Sequence, residues 1–366
     1  MTKIDQILEK DKFNTDDLIK LLKTEEEEKQ KLFQKAYEIK SENVGTKVYY
    51  RGIIEFSNIC RKNCYYCGIR RDNQKLDRYK MTDQEIIEAA RFAYKSGYGS
   101  IVLQSGEQSN PAFSEYITEM VKRIKINTDG NLGITLSLGE QPYGTFKRWY
   151  DAGAHRYLLR IETSNPDLYK RLHPENHKFK AREKAIQDLQ KSGYQVGTGM
   201  MIGLPGQNEK DLVNDILFMK KRDIDMIGMG PYIPHPDTPM ADSMGDFDEI
   251  KSDQLELSLK VIALTRIILQ DVNIAATTAL QALDPVGREK GLLAGANIIM
   301  PNITDTKYRE GYKLYDNKPC IDENSGQCKN CLEQRIDSLG EEIGYNEWGD
   351  SPHYFKRTDE DRENFG

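Results

Sequence analysis

Eight short apolar segments alternate with amphipathic helical segments between residues 48 and 300. Helical periodicity recurs between most of the apolar segments, and Thr82-Asp-Gln-Glu85 has the form of a capping box that opens a helix. The predicted strands are Val48–Phe56, Ser100–Gln104, Gly133–Leu138, Arg156–Ile161, Gln195–Ile202, Met226–Gly230, Ile274–Thr278 and Ala296–Met300. Strands that alternate with helices form parallel sheets, and eight of them can close into a barrel. The sequence therefore predicts an α/β fold, a (β/α)8 TIM-type barrel, with an open doubly wound sheet as the alternative.

The segments outside this alternation predict two extensions. Residues 1–45 are predicted to form an N-terminal helical extension, because Leu18, Leu21, Leu22 and Leu32 follow at roughly helical spacing. Residues 46–315 are predicted to form the barrel. Residues 316–366 break the alternation and contain a second group of cysteines, so they are predicted to form a separate C-terminal segment.

The charge and the hydropathy of the sequence limit the kinds of partner that the chain is expected to have. The chain has 366 residues and a net charge of −6, which provides no basic field for nucleic acid. No apolar run is long enough to span a membrane, and the N-terminus lacks an apolar signal core, so a cytoplasmic location is expected. Six cysteines form two groups of three. In a reducing compartment, such groups favour metal binding over disulfides.

The first cysteine group directly follows the first predicted strand. Cys60, Cys64 and Cys67 have the spacing C-x3-C-x2-C, and they are expected at the C-terminal, active face of a barrel. Three thiolates on one tight loop can hold three corners of a 4Fe-4S cluster, which leaves the fourth iron open. Zinc is the competing interpretation, but a structural zinc site needs four ligands, and the nearest histidine in sequence is His155.

This spacing, with an aromatic residue before the last cysteine, resembles the radical S-adenosylmethionine (SAM) superfamily. The resemblance implies that the open iron chelates the amino and carboxylate groups of SAM, and that an electron from the cluster releases a 5′-deoxyadenosyl radical. It also implies a SAM site at the strand ends, with Glu107 toward the amino group, Arg182 toward the carboxylate and Glu162 toward the ribose. The candidate SAM-binding residues are Gln104, Ser105, Glu107, Thr135, Ser137, Arg160, Glu162, Arg182, Met226 and Tyr312.

Longer phrases are similar to the HydE family of FeFe-hydrogenase maturases over roughly residues 48–332. Examples are Leu103-Gln-Ser-Gly-Glu107, Leu136-Ser-Leu-Gly-Glu140 and Ile299-Met-Pro-Asn302. The resemblance implies a small iron complex as substrate, with CO, cyanide and a bound cysteine, that a tyrosine-cleaving radical SAM maturase delivers. It implies a scaffold GTPase as the destination of the product. The candidate substrate-binding residues are Arg156, Thr277, Thr278, Met300 and Tyr315.

The second cysteine group comprises Cys320, Cys328 and Cys331, with the spacing C-x7-C-x2-C. Three thiolates could hold a second iron–sulfur cluster, either 2Fe-2S or 4Fe-4S. Some members of the HydE family lack this group, which implies that any second cluster is accessory. The alternative is three reduced surface thiols.

Two other kinds of function stay open at this point. One is another small-molecule radical SAM enzyme, either a biotin-synthase-like sulfur inserter or a methylornithine-synthase-like mutase. A biotin-synthase type should carry further cysteines inside the barrel, and the two groups already use all six cysteines. The other is a non-enzymatic iron–sulfur or zinc scaffold, which would not need candidate SAM-binding residues at the ends of its strands.

Overall fold

The fold is a closed barrel of eight parallel strands. The computed structural model describes residues 3–321 and 325–365, with side chains over 3–321 and 331–358. The described strands are β1 (Lys47–Ser57), β2 (Ser100–Ser105), β3 (Gly133–Ser137), β4 (Arg156–Leu158), β5 (Gln195–Thr198), β6 (Met201–Ile202), β7 (Met226–Ile227), β8 (Gly230–Pro231), β9 (Asn273–Ala276), β10 (Ile298–Ile299) and β11 (Glu342–Ile343). Strand β1 pairs with β2 on one side and with β10 on the other, which closes the ring. The predicted barrel is therefore confirmed, and the open sheet is excluded.

Helices surround the barrel. They are α1 (Lys3–Leu8), α2 (Thr15–Leu22), α3 (Glu26–Asn43), α4 (Asp83–Lys95), α5 (Pro111–Asn127), α6 (Tyr143–Asp151), α7 (Pro166–Leu172), α8 (Phe179–Lys191), α9 (Glu209–Lys221), α10 (Phe247–Ile268), α11 (Thr278–Leu283), α12 (Gly287–Leu293), α13 (Thr306–Arg309), α14 (Ser325–Asp337) and α15 (Pro352–Phe365). Thr82 caps α4 with the reciprocal hydrogen bonds to Glu85 that the sequence predicts. Among the described residues, no helix combines the length and the apolarity that a bilayer crossing requires.

Along each barrel strand, alternate side chains face the hydrophobic core and the cavity. On β2, Ile101 and Leu103 are fully buried in the hydrophobic core, while Val102 and Gln104 line the cavity inside the barrel. Alternate residues of a strand point to opposite faces, so one short strand supplies both environments. The polar residues that end each strand therefore meet at the C-terminal mouth of the barrel.

The N-terminal extension is helical and contains three helices, α1 to α3. Asn14 caps α2 through a capping box with Asp17, and this cap begins a new helix after α1. The buried side chains of Leu18, Leu21 and Leu32 join the same hydrophobic core as the barrel. The predicted domain boundaries at residues 45 and 315 stay predictions.

The C-terminal segment closes the N-terminal end of the barrel. Arg51 and Asn273 both donate hydrogen bonds to the carbonyl of Gly349, at 2.9 and 2.8 Å. Arg156 donates to the carbonyl of Trp348 at 2.9 Å and pairs with Asp350. Residues 348–351, which we call the basal plug, therefore seal the base of the barrel opposite its mouth.

His353 anchors α15 directly after the basal plug. Its Nε2 lies 2.8 Å from Asp223 and its Nδ1 lies 3.0 Å from Asp271, and these hydrogen bonds raise the pKa of His353 to about 10. A folded-state pKa above the unfolded value of about 6.5 means that the stabilisation is complete below pH 6.5 and is lost as the pH rises toward 10.

We expect His353→Gln to lower the free energy of unfolding by about 1.5–3 kcal/mol at pH 6, because charged hydrogen bonds contribute about that much. The loss should shrink toward pH 10, where the wild-type imidazole becomes neutral. Urea denaturation at the two pH values measures both quantities. Equal losses at pH 6 and pH 10 would contradict the ion-pair explanation.

Candidate active site

The first cysteine group lies on the loop that leaves β1 at the mouth of the barrel. Arg78 holds this loop in shape, because its guanidinium donates to the carbonyls of Asn58 at 2.7 Å and of Ile69 at 2.9 Å. Its other terminal nitrogen donates to three further carbonyls of the loop, those of Arg70, Arg71 and Asn73. One side chain therefore fixes the conformation from which the three thiols project.

The three thiols of this loop fit an iron–sulfur cluster by their chemistry. Cys60, Cys64 and Cys67 are free cysteines that line one cavity. Burial raises the pKa of Cys64 to about 12 and that of Cys67 well above its usual range, and the neighbouring thiols add to both shifts. Three bare thiolates would therefore be unfavourable here. Bound iron supplies the positive charge that this arrangement needs.

The end of β2 packs directly against the cysteine loop. A Cβ on Gly106 would lie 2.5 Å from the carbonyl oxygen of Ile59 and 2.7 Å from Cβ of Cys60, so only glycine allows this approach. The next residue, Glu107, donates its N–H to Cys60 Sγ at 3.3 Å, and its carbonyl accepts from the N–H of Arg61 at 2.8 Å. The strand and the loop thus position each other through the backbone.

We expect Gly106→Ala to displace the cysteine loop, because its Cβ would overlap backbone atoms that cannot move independently. Overpacking of this kind costs about 1–3 kcal/mol, and here the shift falls on Cys60. Iron bound per chain after anaerobic reconstitution measures the effect, and we expect it to fall by the content of one cluster. Gly144→Ala on α6 is the matched control, since its Cβ meets open space. Equal iron in both variants would contradict the expected displacement.

A network of ion pairs borders the cysteine loop. The Glu140 carboxylate accepts from Lys62 at 2.8 Å and from Arg182 Nε at 2.6 Å. Burial acts to raise the pKa of Glu140, but the two cations lower it to about 2. The Glu107 carboxylate accepts from Arg61 at 2.9 Å and from the N–H of Glu140 at 2.9 Å. The network thus holds two carboxylates and three cations at one side of the cavity.

A second charged pair stands at the end of β4. Arg160 and Glu162 lie 2.9 Å apart, and the Tyr66 hydroxyl donates to Glu162 at 3.4 Å. Glu162 has a φ of +67°, a left-handed conformation that costs a non-glycine residue about 1–3 kcal/mol. Such strain is retained where a side chain must be aimed, and here the Glu162 carboxylate reaches the cavity.

One cavity of about 330 Å³ brings together most of the predicted site residues. Its volume lies within the range of small-molecule sites. The predicted residues that line it are Cys60, Cys64, Cys67, Gln104, Ser105, Glu107, Ser137, Arg160, Glu162, Arg182, Thr277, Thr278, Met300, Tyr312 and Tyr315. The cavity therefore contains candidates for both SAM and substrate, and their individual roles stay predictions.

Three predicted residues do not line this cavity, and their expected positions are corrected. Arg156 is fully buried at the base of the barrel, where it binds the basal plug and donates to Thr135 Oγ1 at 3.1 Å. Met226 lies beside them, with its Sδ 2.9 Å from an Arg51 nitrogen. Arg156 and Met226 begin their strands, and Thr135 stands at the middle of β3. Their side chains lie in the barrel below the cavity, where Thr135 and Met226 line a second, smaller pocket. Their roles in binding stay predictions.

Several residues that sequence analysis did not assign also shape the cavity. Lys318 donates to Glu55 at 2.5 Å and to the carbonyl of Tyr312 at 2.9 Å, and Asn302 donates to the other oxygen of Glu55 at 3.0 Å. Lys318 follows the last barrel strand by almost twenty residues, so no local pattern connects it to Glu55. Lys62 and Tyr66 could have been noticed from their places within the cysteine motif.

The second cysteine group is only partly described. Cys320 is half-buried, with Sγ 4.0 Å from Arg288 Nη2, and Cys331 is exposed. The side chain of Cys328 lies outside the described residues. The Arg288 guanidinium is buried, and its Nε and Nη1 have no hydrogen-bond partner among the residues whose side chains the structure describes. Such N–H donors suit an anionic sulfur ligand. The structure does not describe how the three thiols of the second group are arranged, so the second cluster stays a prediction.

Comparisons with known proteins agree with this geometry. Residues 54–219 match the Radical SAM superfamily. The chain is 48% identical over 327 residues to the FeFe hydrogenase maturase subunit HydE of Thermotoga maritima, which covers 89% of this chain and 90% of that protein. Methylornithine synthase has a similar fold, with a TM-score of 0.79, 24% identity and coverage of 94% of this chain and 98% of the other. The maturase HydG from Carboxydothermus hydrogenoformans has a TM-score of 0.78, 23% identity and coverage of 94% and 79%.

Proposed function

Because the chain belongs to the HydE family of FeFe-hydrogenase maturases, within the radical SAM superfamily, we propose that it cleaves SAM reductively and uses the radical on a small sulfur-containing iron complex. The product would serve the assembly of the FeFe-hydrogenase active-site cluster. The observation that carries the proposal is the position of Cys60, Cys64 and Cys67 at the mouth of a closed barrel, beside an ion-pair network in one cavity.

The residues of the cysteine loop would hold a 4Fe-4S cluster through three thiolates. When bound, such a cluster would supply the electron for reductive cleavage of the sulfonium C–S bond of SAM. The residues of the chain would position the cluster and donate hydrogen bonds to its sulfur ligands. Arg78 and Gly106 fix the loop, and the Glu107 N–H donates to the sulfur of Cys60.

The ion-pair network would bind the amino-acid end of SAM. The Glu107 carboxylate is suited to accept from the amino group, and Arg182 is suited to bind the carboxylate. Arg182 already donates to Glu140 and to the carbonyl of Arg160, so it is held in place before SAM arrives. Glu162, aimed by its left-handed backbone, would accept from a ribose hydroxyl. Preorganised groups of this kind lower the cost of binding.

Thr277, Thr278, Met300 and Tyr315 would surround the iron complex in the same cavity. Hydroxyl groups suit an anionic complex that carries cyanide, and the methionine thioether suits a soft metal. We further propose a cytoplasmic location, transient contact with a tyrosine-cleaving radical SAM maturase and a scaffold GTPase, and an accessory second cluster. These finer statements rest on membership of the HydE family.

Two measurements test the proposal. Reconstituted protein with dithionite and SAM should release 5′-deoxyadenosine and methionine, and the absence of both products would refute the radical SAM activity. Expression of this gene in a strain that lacks its own HydE should restore FeFe-hydrogenase activity. SAM cleavage without restored hydrogenase, together with formation of methylornithine from lysine, would favour the mutase instead.

A further inference from the structure

Two buried histidines stand beside one cysteine of the first group. His173 directly follows α7, and His177 lies just before α8. The side-chain donor atoms of Cys64, His173 and His177 all lie within 4.8 Å of one another, and His177 Nδ1 is 4.0 Å from Cys64 Sγ. These two histidines have no part in the proposed reaction, so their convergence on a cysteine calls for its own explanation.

His173 is oriented as a metal ligand usually is. Its Nδ1 lies 2.9 Å from the carbonyl oxygen of Tyr169, and since a carbonyl only accepts, Nδ1 carries the proton. The ring also stacks on Tyr169, with ring centres 4.1 Å apart. Nε2 therefore carries the lone pair, and it lies 3.5 Å from the Tyr66 hydroxyl, which a metal ion would replace as its partner. A second ring nitrogen bound to a carbonyl is the outer-shell arrangement that fixes metal-ligating histidines.

We propose that, in the chain without an iron–sulfur cluster, Cys64, His173 and His177 bind one borderline-soft divalent ion such as Zn²⁺. One thiolate and two imidazoles with an open fourth position form a ligand set that zinc accepts. Ligand atoms in a tetrahedral zinc site lie roughly 3.5 Å apart, so the three donors need to approach by about 1 Å. Binding releases the thiol proton of Cys64 to solvent.

This site shares Cys64 with the proposed cluster, so the two metals exclude each other. A chain that has taken up zinc lacks one of the three cysteines that the cluster requires. The ion therefore protects a reduced thiol but delays cluster insertion. The inference rests on three side chains and not on the reaction, so a failure to cleave SAM would leave it intact.

Cobalt(II) reports the site directly, because tetrahedral cobalt with a thiolate ligand absorbs in the visible and near-ultraviolet. The full-length, metal-free protein should carry serine at Cys320, Cys328 and Cys331, so that the second group cannot bind. We expect this protein to bind one equivalent of Co²⁺ with both absorption signatures. Added Zn²⁺ should displace the cobalt, and preloaded Zn²⁺ should reduce the iron incorporated during reconstitution.

Variants in that background identify the ligands. The double variant His173→Gln with His177→Gln should weaken Co²⁺ binding by more than the roughly 10- to 100-fold that loss of an outer-shell partner costs. Cys64→Ser should do the same, while His235→Gln and the double variant Cys60→Ser with Cys67→Ser should retain binding. Circular dichroism identifies any variant that fails to fold, and the single variant His177→Asn then replaces the double one. Binding that survives loss of both histidines, or that requires Cys60 and Cys67, would overturn the proposal.

Discussion

Replacing Cys64 by alanine is expected to abolish reductive cleavage of SAM, with a fall in 5′-deoxyadenosine of about 1000-fold or more, because two thiolates hold a cubane cluster poorly. Cys64 is the central cysteine of the loop, and burial keeps its thiol protonated when no metal is bound. The variant should therefore retain neither the iron nor the characteristic absorbance of the first cluster. Product formation under dithionite, measured by chromatography, gives the result.

Cys328→Ser is the control from the second cysteine group. It should lower the iron bound per chain without abolishing SAM cleavage, since the accessory group is not expected to contact SAM. SAM cleavage retained in Cys64→Ala would refute the assignment of the first group. Loss of cleavage in Cys328→Ser would instead show that the second group is not accessory.

Arg182→Leu is expected to raise the KM for SAM by about 30- to 4000-fold, since truncating one partner of a buried charge pair costs about 2–5 kcal/mol. Arg182 is 7% exposed, and its loss leaves Glu140 with Lys62 as its remaining cation. Two effects then act together, because the carboxylate of SAM loses its partner and the unbalanced Glu140 repels it. Steady-state kinetics of 5′-deoxyadenosine formation separate KM from kcat.

Arg222→Leu is the matched control, because Arg222 pairs with Glu183 at the end of α9, where the pair is about one quarter exposed. Exposed pairs contribute about 0–1 kcal/mol, so its KM should stay within a few-fold of the wild-type value. A similar KM for Arg182→Leu and Arg222→Leu would rule out a role of Arg182 in binding SAM. A change in kcat alone would assign it to the positioning of the cysteine loop.

The barrel could be predicted from the sequence because its signals are local. Eight apolar segments with the period of strands, and caps such as Thr82, specify elements within a few residues of themselves. Closure could not be predicted with the same certainty, because the pairing of β1 with β10 joins segments about 250 residues apart. The family resemblance provided what periodicity could not.

Positions in the lining of the cavity could be predicted from the sequence for residues that end or follow a strand, and not for residues that begin one. Glu107 and Glu162 follow their strands, so the direction of a parallel sheet places them at the mouth. Arg156 and Met226 begin theirs, and the same rule, applied strictly, would have placed them at the base. Lys318 and the two histidines beside Cys64 depend on loops, whose paths no local pattern in the sequence specifies.

The basal plug affects how ligands can enter and leave the cavity. Arg51, Arg156 and Asn273 hold residues 348–351 across the base, so a ligand of the cavity would enter and leave at the mouth, beside the cysteine loop. When molecules use the same opening of a cavity, the molecule that binds deepest must enter first and leave last. If SAM and an iron complex both bind in this cavity, as we propose, we expect them to bind in sequence and their products to leave in the reverse order, because residues 348–351 occupy the base of the barrel.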